Sequence, residues 1–336
     1  MEKQMIGNTD NPEKRIEGRV SIIIPCYNSE ATLERTLKSA TNQKYTDLEI
    51  IAVDDGSHDR TADILTEYSK KDSRIRTISI PNSGPSAARM KGLDVSTGEY
   101  IQFLDSDDIL LPDAIENLMQ TARRDGSDMV ELSFLIETQN GERIKSVETI
   151  TGTMSGTEAL KLNMNGGYWA LWSRFTKAEL FDKVTEKAEG MIFGEDLIMS
   201  VQLLMNAKRI SVCGKRALVY FIREGSLSTG PFSERRRHDT ERYMKWVFDY
   251  LTELGCFPEF NKAWWGFRKF SLLLKVSERW TNGISIDFKE VGEALERYPE
   301  LRAGLSPKML KLFKSYRRNR LLGNIRLKKY IRKSQV

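Results

Sequence analysis

The chain has 336 residues, 40% of them hydrophobic, and a formal net charge of +5, which leaves room for one large domain or two ordinary ones with ample core. No run of about 18 apolar residues occurs, so no membrane span is expected, and the polar stretch 1–18 does not read as a signal peptide. Three scattered cysteines, Cys26, Cys213 and Cys256, read as free thiols of a reducing compartment, and two histidines argue against a histidine-based zinc site.

The net charge hides an asymmetry. From Ser306 to the end there are eleven Lys or Arg and no acid, while the remainder carries 41 basic against 47 acidic residues, a net of −6. The basic tail is therefore a separate feature.

After a loose lead-in, Val20-Ser21-Ile22-Ile23-Ile24 is a short, β-branched apolar run that suits a strand buried on both faces of a parallel sheet. Ser29 is placed to cap a helix from Glu30 to about Gln43. A second strand, 48–53, ends in Asp54-Asp55-Gly56-Ser57, and a helix near 60–70 follows, with Asp59 at its cap. A third strand, 74–80, ends in Pro81-Asn82-Ser83-Gly84, and Pro85 opens a third helix. The fourth strand, 99–104, ends in Asp105-Ser106-Asp107-Asp108. Alternating strands and helices of these lengths predict a mostly parallel central sheet flanked by helices.

The polar residues fall at the strand ends: Tyr27 and Asn28, then Asp54 and Asp55, then Asn82 and Gly84, then Asp105 and Asp107. Turn chemistry accounts for any one of these. All four together fit a ligand site, because open α/β sheets bind ligands outside the carboxyl ends of their strands. Asp105 and Asp107 are two apart and leave one face of an extended chain, where a pair of carboxylates can hold Mg²⁺ or Mn²⁺ with room for phosphate oxygens. A solvated acidic turn is the competing reading. Neither a G-x-G-x-x-G nor a G-x-x-x-x-G-K-[ST] motif is present, which argues against a dinucleotide site and a P-loop.

Further along, a helix is expected over 112–124 and a strand over 128–136, and Asn140-Gly141 predicts a hairpin pairing residues near 131–138 with 143–150. The aromatic stretch Tyr168-Trp169-Ala170-Leu171-Trp172 either lines a sugar or fills core, with core the default. Glu195 and Asp196 open a helix over 197–207, where acids also favour the helix dipole. Two strand-like runs follow, 209–213 and 217–222, and helices are expected over 234–254, 261–279, 287–298 and 307–320.

Ser21-Ile22-Ile23-Ile24-Pro25-Cys26-Tyr27-Asn28, Val53-Asp54-Asp55-Gly56-Ser57, Asn82-Ser83-Gly84 with Ala88-Arg89, and Phe103-Leu104-Asp105-Ser106-Asp107-Asp108 resemble, in order and spacing, the nucleotide-binding half of family-2 glycosyltransferases of bacterial type. A looser likeness runs through Trp172-Ser173-Arg174-Phe175, Gly194-Glu195-Asp196 and Tyr220 to Ser228. The resemblance implies a GT-A fold, with a catalytic domain over 19–230 (nucleotide-binding half 19–108, acceptor-side half 109–230) and a helical extension over 231–336. It implies that Pro25, Tyr27 and Asn28 touch uracil and ribose, that Asp55 accepts the uracil imide N–H, and that Asn82 and Arg89 face the donor. Asp105 and Asp107 would be the D-x-D pair, reaching ribose and a diphosphate-bound Mn²⁺ or Mg²⁺. Asp196 would be the general base, and Arg223 and Ser226 would lie near the donor phosphates. Met90 and Arg174 depart from the family's usual Asn and Lys. Because adjacent helical residues point about 100° apart, only one of Glu195 and Asp196 is expected to face the site.

The implied activity is inverting, metal-dependent transfer of a sugar from a UDP-sugar to a hydroxyl of a glycan or lipid-linked saccharide, in cell-surface polysaccharide synthesis. The alternatives are a sugar-1-phosphate nucleotidyltransferase, whose Gly- and Arg-rich loop after strand one is missing here, and a nucleotide-sugar-binding module without turnover. Met309, Leu312, Phe313 and Tyr316 share one predicted helical face amid Lys and Arg. This suits a basic amphipathic helix on anionic lipid, worth about 1 kcal/mol per basic residue near the surface. The enzyme would then be cytoplasmic and peripheral on the inner face of the membrane. Packing on the domain is the competing account, and nucleic acid a disfavoured third.

Overall fold

A computed structural model of the chain describes residues 15–138, 140–147, 152–222, 233–279, 289–297, 299–302, 305, 307–319, 321–323 and 325–326. The chain forms two compact units. One comprises residues 1–160 and 168–230, and the other 161–167 and 231–336.

The first unit is built on one sheet. Its strands in chain order are β1 (Ile16–Cys26), β2 (Leu48–Asp54), β3 (Ile75–Ser79), β4 (Gly98–Phe103), β5 (Ile109–Leu110), β6 (Met129–Thr138), β7 (Arg143–Val147), β8 (Thr153–Met154), β9 (Arg174–Lys177) and β10 (Ile210–Ile222). The spatial order is β3-β2-β1-β4-β9-β6-β10-β5, with β7 on β6 and β8 on β10. Pairing is parallel from β3 to β4, as the β-branched runs predict: Ile22, Ile23 and Ile24 are fully buried, and Ile22 lies opposite Ile50 and Gln102. Helices α1 (Leu33–Thr41), α2 (Thr61–Lys71), α3 (Pro85–Asp94), α4 (Ala114–Asp125), α5 (Gly156–Met164) and α6 (Glu195–Asn206) complete the series. The fold class is therefore the expected one.

Several local expectations change. Strand β9 inserts antiparallel between β4 and β6; at four residues it is too short to show a period. The runs 209–213 and 217–222 are one strand, because β10 passes through a register shift between Val212 and Arg216 without leaving β6. Helix α1 starts at Leu33, not Glu30, and Ser29 does not cap it by side chain: its carbonyl accepts the Thr32 and Leu33 N–H groups, while its hydroxyl lies 2.7 Å from that of Ser106. The Asn140-Gly141 hairpin is present and sets Phe134 opposite Val147; residues 148–150 of the expected pairing lie outside the described residues.

The second unit is helical, with α7 (Glu234–Glu253), α8 (Phe257–Arg279), α9 (Lys289–Arg297) and α10 (Pro307–Arg318). Ser233 caps α7 by accepting the Arg236 N–H. Helices α7 and α8 meet through rings, Phe248 against Trp264 and Tyr243 against Phe267. Leu312, Phe313 and Tyr316 of α10 are buried. Three of the four residues of the predicted apolar face are thus taken up by packing, and Met309 is half-buried. No helix among the described residues is long and apolar enough to cross a membrane.

Candidate active site

The loops after β1, β2 and β3 are tied to one another by side chains that the sequence marked. Asn28 sits in the left-handed region at φ 45°, which Asn tolerates better than most residues. Its Oδ1 accepts the His58 N–H at 2.9 Å and its own N–H donates to Ser57 Oγ at 3.0 Å. Tyr27, beside it, is 47% exposed and offers a ring face, and Pro25 lies opposite Val53 at the end of β1. Asp54 accepts the Ser57 N–H at 3.1 Å. Asp55 is buried, and its two oxygens accept the N–H groups of Ser83 and Gly84 at 2.7 and 2.8 Å. Each oxygen keeps a second lone pair, so this carboxylate shapes the loop carrying Asn82 and retains acceptor capacity. Gly56 is required twice over: its φ is +71°, and a Cβ there would stand 2.8 Å from the Asn82 backbone nitrogen.

The acidic loop after β4 is held by α1. Ser106 O accepts from the hydroxyls of Thr32 and Thr36 at 2.8 and 3.0 Å, Asp108 O from Thr36 at 2.8 Å, and Asp107 O from Arg35 Nη2 at 2.5 Å. The Arg35 guanidinium also lies 4.0 Å from the centre of the Phe221 ring. Asp105, Asp107 and Asp108 each bring a carboxylate oxygen to within 4.8 Å of the others. Asp108 is fully buried. Its Oδ1 accepts the Phe221 N–H at 2.9 Å, and its Oδ2 has no hydrogen-bond partner. Burial, and then the charges of Asp105 and Asp107, push its pKa well above the usual carboxylate range.

Arg89 joins this loop to α6. Buried on α3, it donates from Nη2 to Asp105 Oδ1 at 3.0 Å and from Nη1 to Asp196 Oδ1 at 2.9 Å, with Glu195 Oε1 3.6 Å from Nη1. Burial works against its charge, but Asp196, Asp105 and Glu195 outweigh it and hold its pKa above the ordinary value. Glu195 and Asp196 therefore both reach one guanidinium, Asp196 more closely. The longer Glu195 side chain approaches the guanidinium from the neighbouring position, while the hydrogen bond is made by Asp196. Burial raises the pKa of each: Asp196 upward against the pull of Arg89, and Glu195, with the Asp196 charge adding to burial, to about 7.

The comparisons with known proteins bear on this assembly. The model of the family described as glycosyl transferase family 2 matches residues 21–190, just over half of the chain. The chain belongs to glycosyltransferase family 2. The cholesterol galactosyltransferase of Borreliella burgdorferi is 33% identical over 223 residues, 63% of this chain and 62% of that protein. The GalNAc(5)-diNAcBac-PP-undecaprenol β-1,3-glucosyltransferase of Campylobacter jejuni is 42% identical over 106 residues, 31% of this chain and 34% of that protein. The matched part thus spans less than two thirds of the length of either relative. Residues 1–349 of S. aureus TarS, solved with UDP-GlcNAc, superpose with a TM-score of 0.65 at 21% identity, covering 94% of this chain and 92% of that one. At that identity the likeness is one of fold, the GT-A fold that the resemblance implied.

In this member of the family, Pro25, Tyr27, Asn28, Asp55 and Asn82 lie at the end of β1 and on the loops after β1, β2 and β3, and Arg89, Asp105 and Asp196 meet directly. Asp107 joins Asp105 in the acid cluster, and Arg223 and Ser226 lie outside the described residues. Four contributors were not singled out from sequence. Asp108 was read only as part of the acidic run; its place at the end of an apolar strand was the available signal. Thr32, Arg35 and Thr36 gave none, because helix-surface polar residues look alike until the partner loop is known. Arg174, whose role was open, is buried and donates to the carbonyls of Tyr168 at 2.6 Å and Ala170 at 3.4 Å and to Ser200 Oγ at 3.3 Å, with Glu131 Oε1 3.6 Å away. Ser200 in turn donates to Trp169 O at 2.7 Å. The segment so pinned delivers the Leu171 N–H to Asp196 Oδ2 at 3.3 Å. Trp172 is core, stacked on Tyr220 and edge-on to Phe134.

Proposed function

We propose that the chain transfers a sugar from a UDP-sugar to a hydroxyl of a lipid or lipid-linked glycan acceptor, with inversion at the anomeric carbon. The observation that carries this reading is the Arg89 bridge, which sets the D-x-D carboxylate Asp105 and the acid Asp196 on the two sides of one guanidinium, 3.0 and 2.9 Å away. A donor-binding acid and a proton-accepting acid are thereby held within one side chain's width. The exposed Tyr27 ring and the spare acceptor capacity of Asp55 suit a uracil base. The B. burgdorferi relative is named for cholesterol and the C. jejuni relative for an undecaprenol-linked saccharide, which supports an acceptor of that class.

The acid cluster fits a hard divalent cation, since three carboxylate oxygens converge and the buried Asp108 Oδ2 lacks a hydrogen-bond donor. Asp105, Asp107 and Asp108 would hold it, and bound Mn²⁺ or Mg²⁺ would neutralise charge gathering on the leaving diphosphate. The chain's own residues do the rest. Asp196 takes the proton of the acceptor hydroxyl as its oxygen bonds to the anomeric carbon. The bond from that carbon to the diphosphate oxygen breaks, and UDP leaves. Arg89 keeps Asp196 oriented, and the Leu171 N–H holds its second oxygen. One displacement from the face opposite the leaving group inverts the centre, so no carboxylate nucleophile is called for.

Calorimetry with UDP, GDP and CDP, with and without Mn²⁺, tests the donor side. UDP should bind at least about tenfold more tightly than the others, the scale of one or two specific hydrogen bonds, and Mn²⁺ should strengthen it. Equal affinity for all three, or indifference to Mn²⁺, would sink the reading.

A further inference from the structure

We infer that the surface formed by Leu321, Leu322 and Ile325 together with the outer face of α10 docks on an anionic lipid surface. After α10 the chain reverses on itself. Asn319 Oδ1 accepts the Leu321 N–H at 2.8 Å and so starts a new helical turn. Gly323 then lies flat on the Tyr316 ring, where a Cβ would come within 2.4 Å of ring carbon. Arg326 closes the reversal by donating to Lys311 O at 3.4 Å and to Ser315 Oγ. With Gly323 turned inward, its neighbours are turned outward: Leu321, Leu322 and Ile325 are 68, 52 and 45% exposed.

Three large apolar side chains held out in water by a pinned turn call for an occupant, and their setting selects one. Lys308, Lys311, Lys314 and Arg318 of α10 and Arg326 of the reversal are all exposed, and no acid occurs from residue 306 onward. A second copy of this chain would bring the same cations face to face and is disfavoured by repulsion. Nucleic acid would match the charge but leaves aliphatic side chains without a base-stacking or groove role. An anionic bilayer satisfies both features, taking Leu321, Leu322 and Ile325 into the acyl boundary and the cations among headgroups. This places the lipid contact on the reversal and not on the Leu312–Phe313–Tyr316 face, which is buried. The inference rests on the helical unit alone and does not depend on the donor or the chemistry of the other unit.

The test is vesicle co-sedimentation of the full chain with phosphatidylcholine alone and mixed with phosphatidylglycerol. The chain should sediment with the mixed vesicles only, and less in high salt. A Leu321→Ser, Leu322→Ser, Ile325→Ser variant should lose about tenfold or more in partitioning, and a Lys308→Gln, Lys311→Gln, Lys314→Gln variant a similar factor. Both should keep the parent melting temperature, since every replaced side chain is exposed or nearly so. Sedimentation with neutral and anionic vesicles alike, or a serine variant that still binds, overturns the inference. So does self-association on gel filtration that the serine variant abolishes, or duplex DNA competing the chain off the vesicles at equal charge concentration.

Discussion

The two units place charge differently: the first gathers several buried charges at one sheet edge, while the second buries Asp239 but keeps the cations of α10 at the surface. In the sheet-based unit Arg89, Arg174, Asp108 and Glu195 are withdrawn from water and answered by named partners. In the helical unit the interior includes Val247, Leu251, Phe260, Phe313 and Tyr316, while Lys308, Lys311, Lys314 and Arg318 stand at the surface. Withdrawing a charge from water costs several kcal/mol before its partners repay it, so a fold that does so repeatedly at one sheet edge does so where chemistry requires placed charge. Surface charge costs little and contributes little to the fold; its consequence is the partner it attracts. Substitutions should therefore act on turnover in the first unit and on association in the second.

The sharpest way to break that division is Asp196→Asn. The amide keeps the shape and one acceptor for Arg89, so the fold and UDP affinity should hold while transfer falls about a hundredfold or more, the scale of lost general-base catalysis. Glu195→Gln should cost less, because Asp196 holds the closer contact with Arg89. Single-turnover rates alongside calorimetric UDP binding check both, and NMR of the product should show the anomeric configuration opposite to the donor's. Near-normal turnover in Asp196→Asn, or retained configuration, would remove this residue from the role.

A smaller effect is expected at Arg174, which touches no substrate in this reading and acts through the segment it pins. Arg174→Lys keeps the charge beside Glu131 but cannot reach the Tyr168 and Ala170 carbonyls together, since an ammonium lacks the guanidinium's fork. Turnover should fall roughly tenfold through misplacement of the Leu171 N–H on Asp196, with donor KM little changed. Arg174→Met would leave Glu131 buried without its cation and should cost about 3–5 kcal/mol of stability. A lysine variant with normal kcat and a lowered melting temperature would make Arg174 a matter of folding only.

Much of this was legible in the sequence because strand ends are where local pattern and chemistry coincide. An apolar run that stops at Asp105, or a Pro-Asn-Ser-Gly turn before Pro85, shows both the element and its exposed edge within a few residues. Contacts made by long-range packing were not legible. Thr36 reads as any helix residue until its hydroxyl is seen on the carbonyls of Ser106 and Asp108, and β9 is four residues that gain strand identity only from β4 and β6 beside them. The tail shows how a correct period can still mislead: Leu312, Phe313 and Tyr316 do share a face, but periodicity cannot say whether a protein interior or a membrane covers it. Gly323, silent in sequence, decides that the later residues are the exposed ones.

The smallest effect, and the one that tests the electrostatics most directly, is on the pH dependence of stability. Glu195 faces Asp196 and Arg89, with Asp105 on the far side of the guanidinium. Burial, with Asp196 adding to it and Arg89 opposing, raises its pKa from 4.5 to about 7. Between those values the folded chain holds a proton that the unfolded chain has released, so stability is greatest below the unfolded value and declines as pH rises through the window. Above it both states are ionised and the penalty is constant. Glu195→Gln removes the titration, so the variant's melting temperature should fall less than the parent's between about pH 5 and pH 8, by on the order of 5 °C. Melting curves across that range decide it. If the glutamine variant keeps the parent's slope, the proton is held elsewhere in the cluster and Glu195 stays ionised against Arg89. Asp196→Asn should then be the variant that flattens the curve, and the base would be a group that is protonated through much of that range.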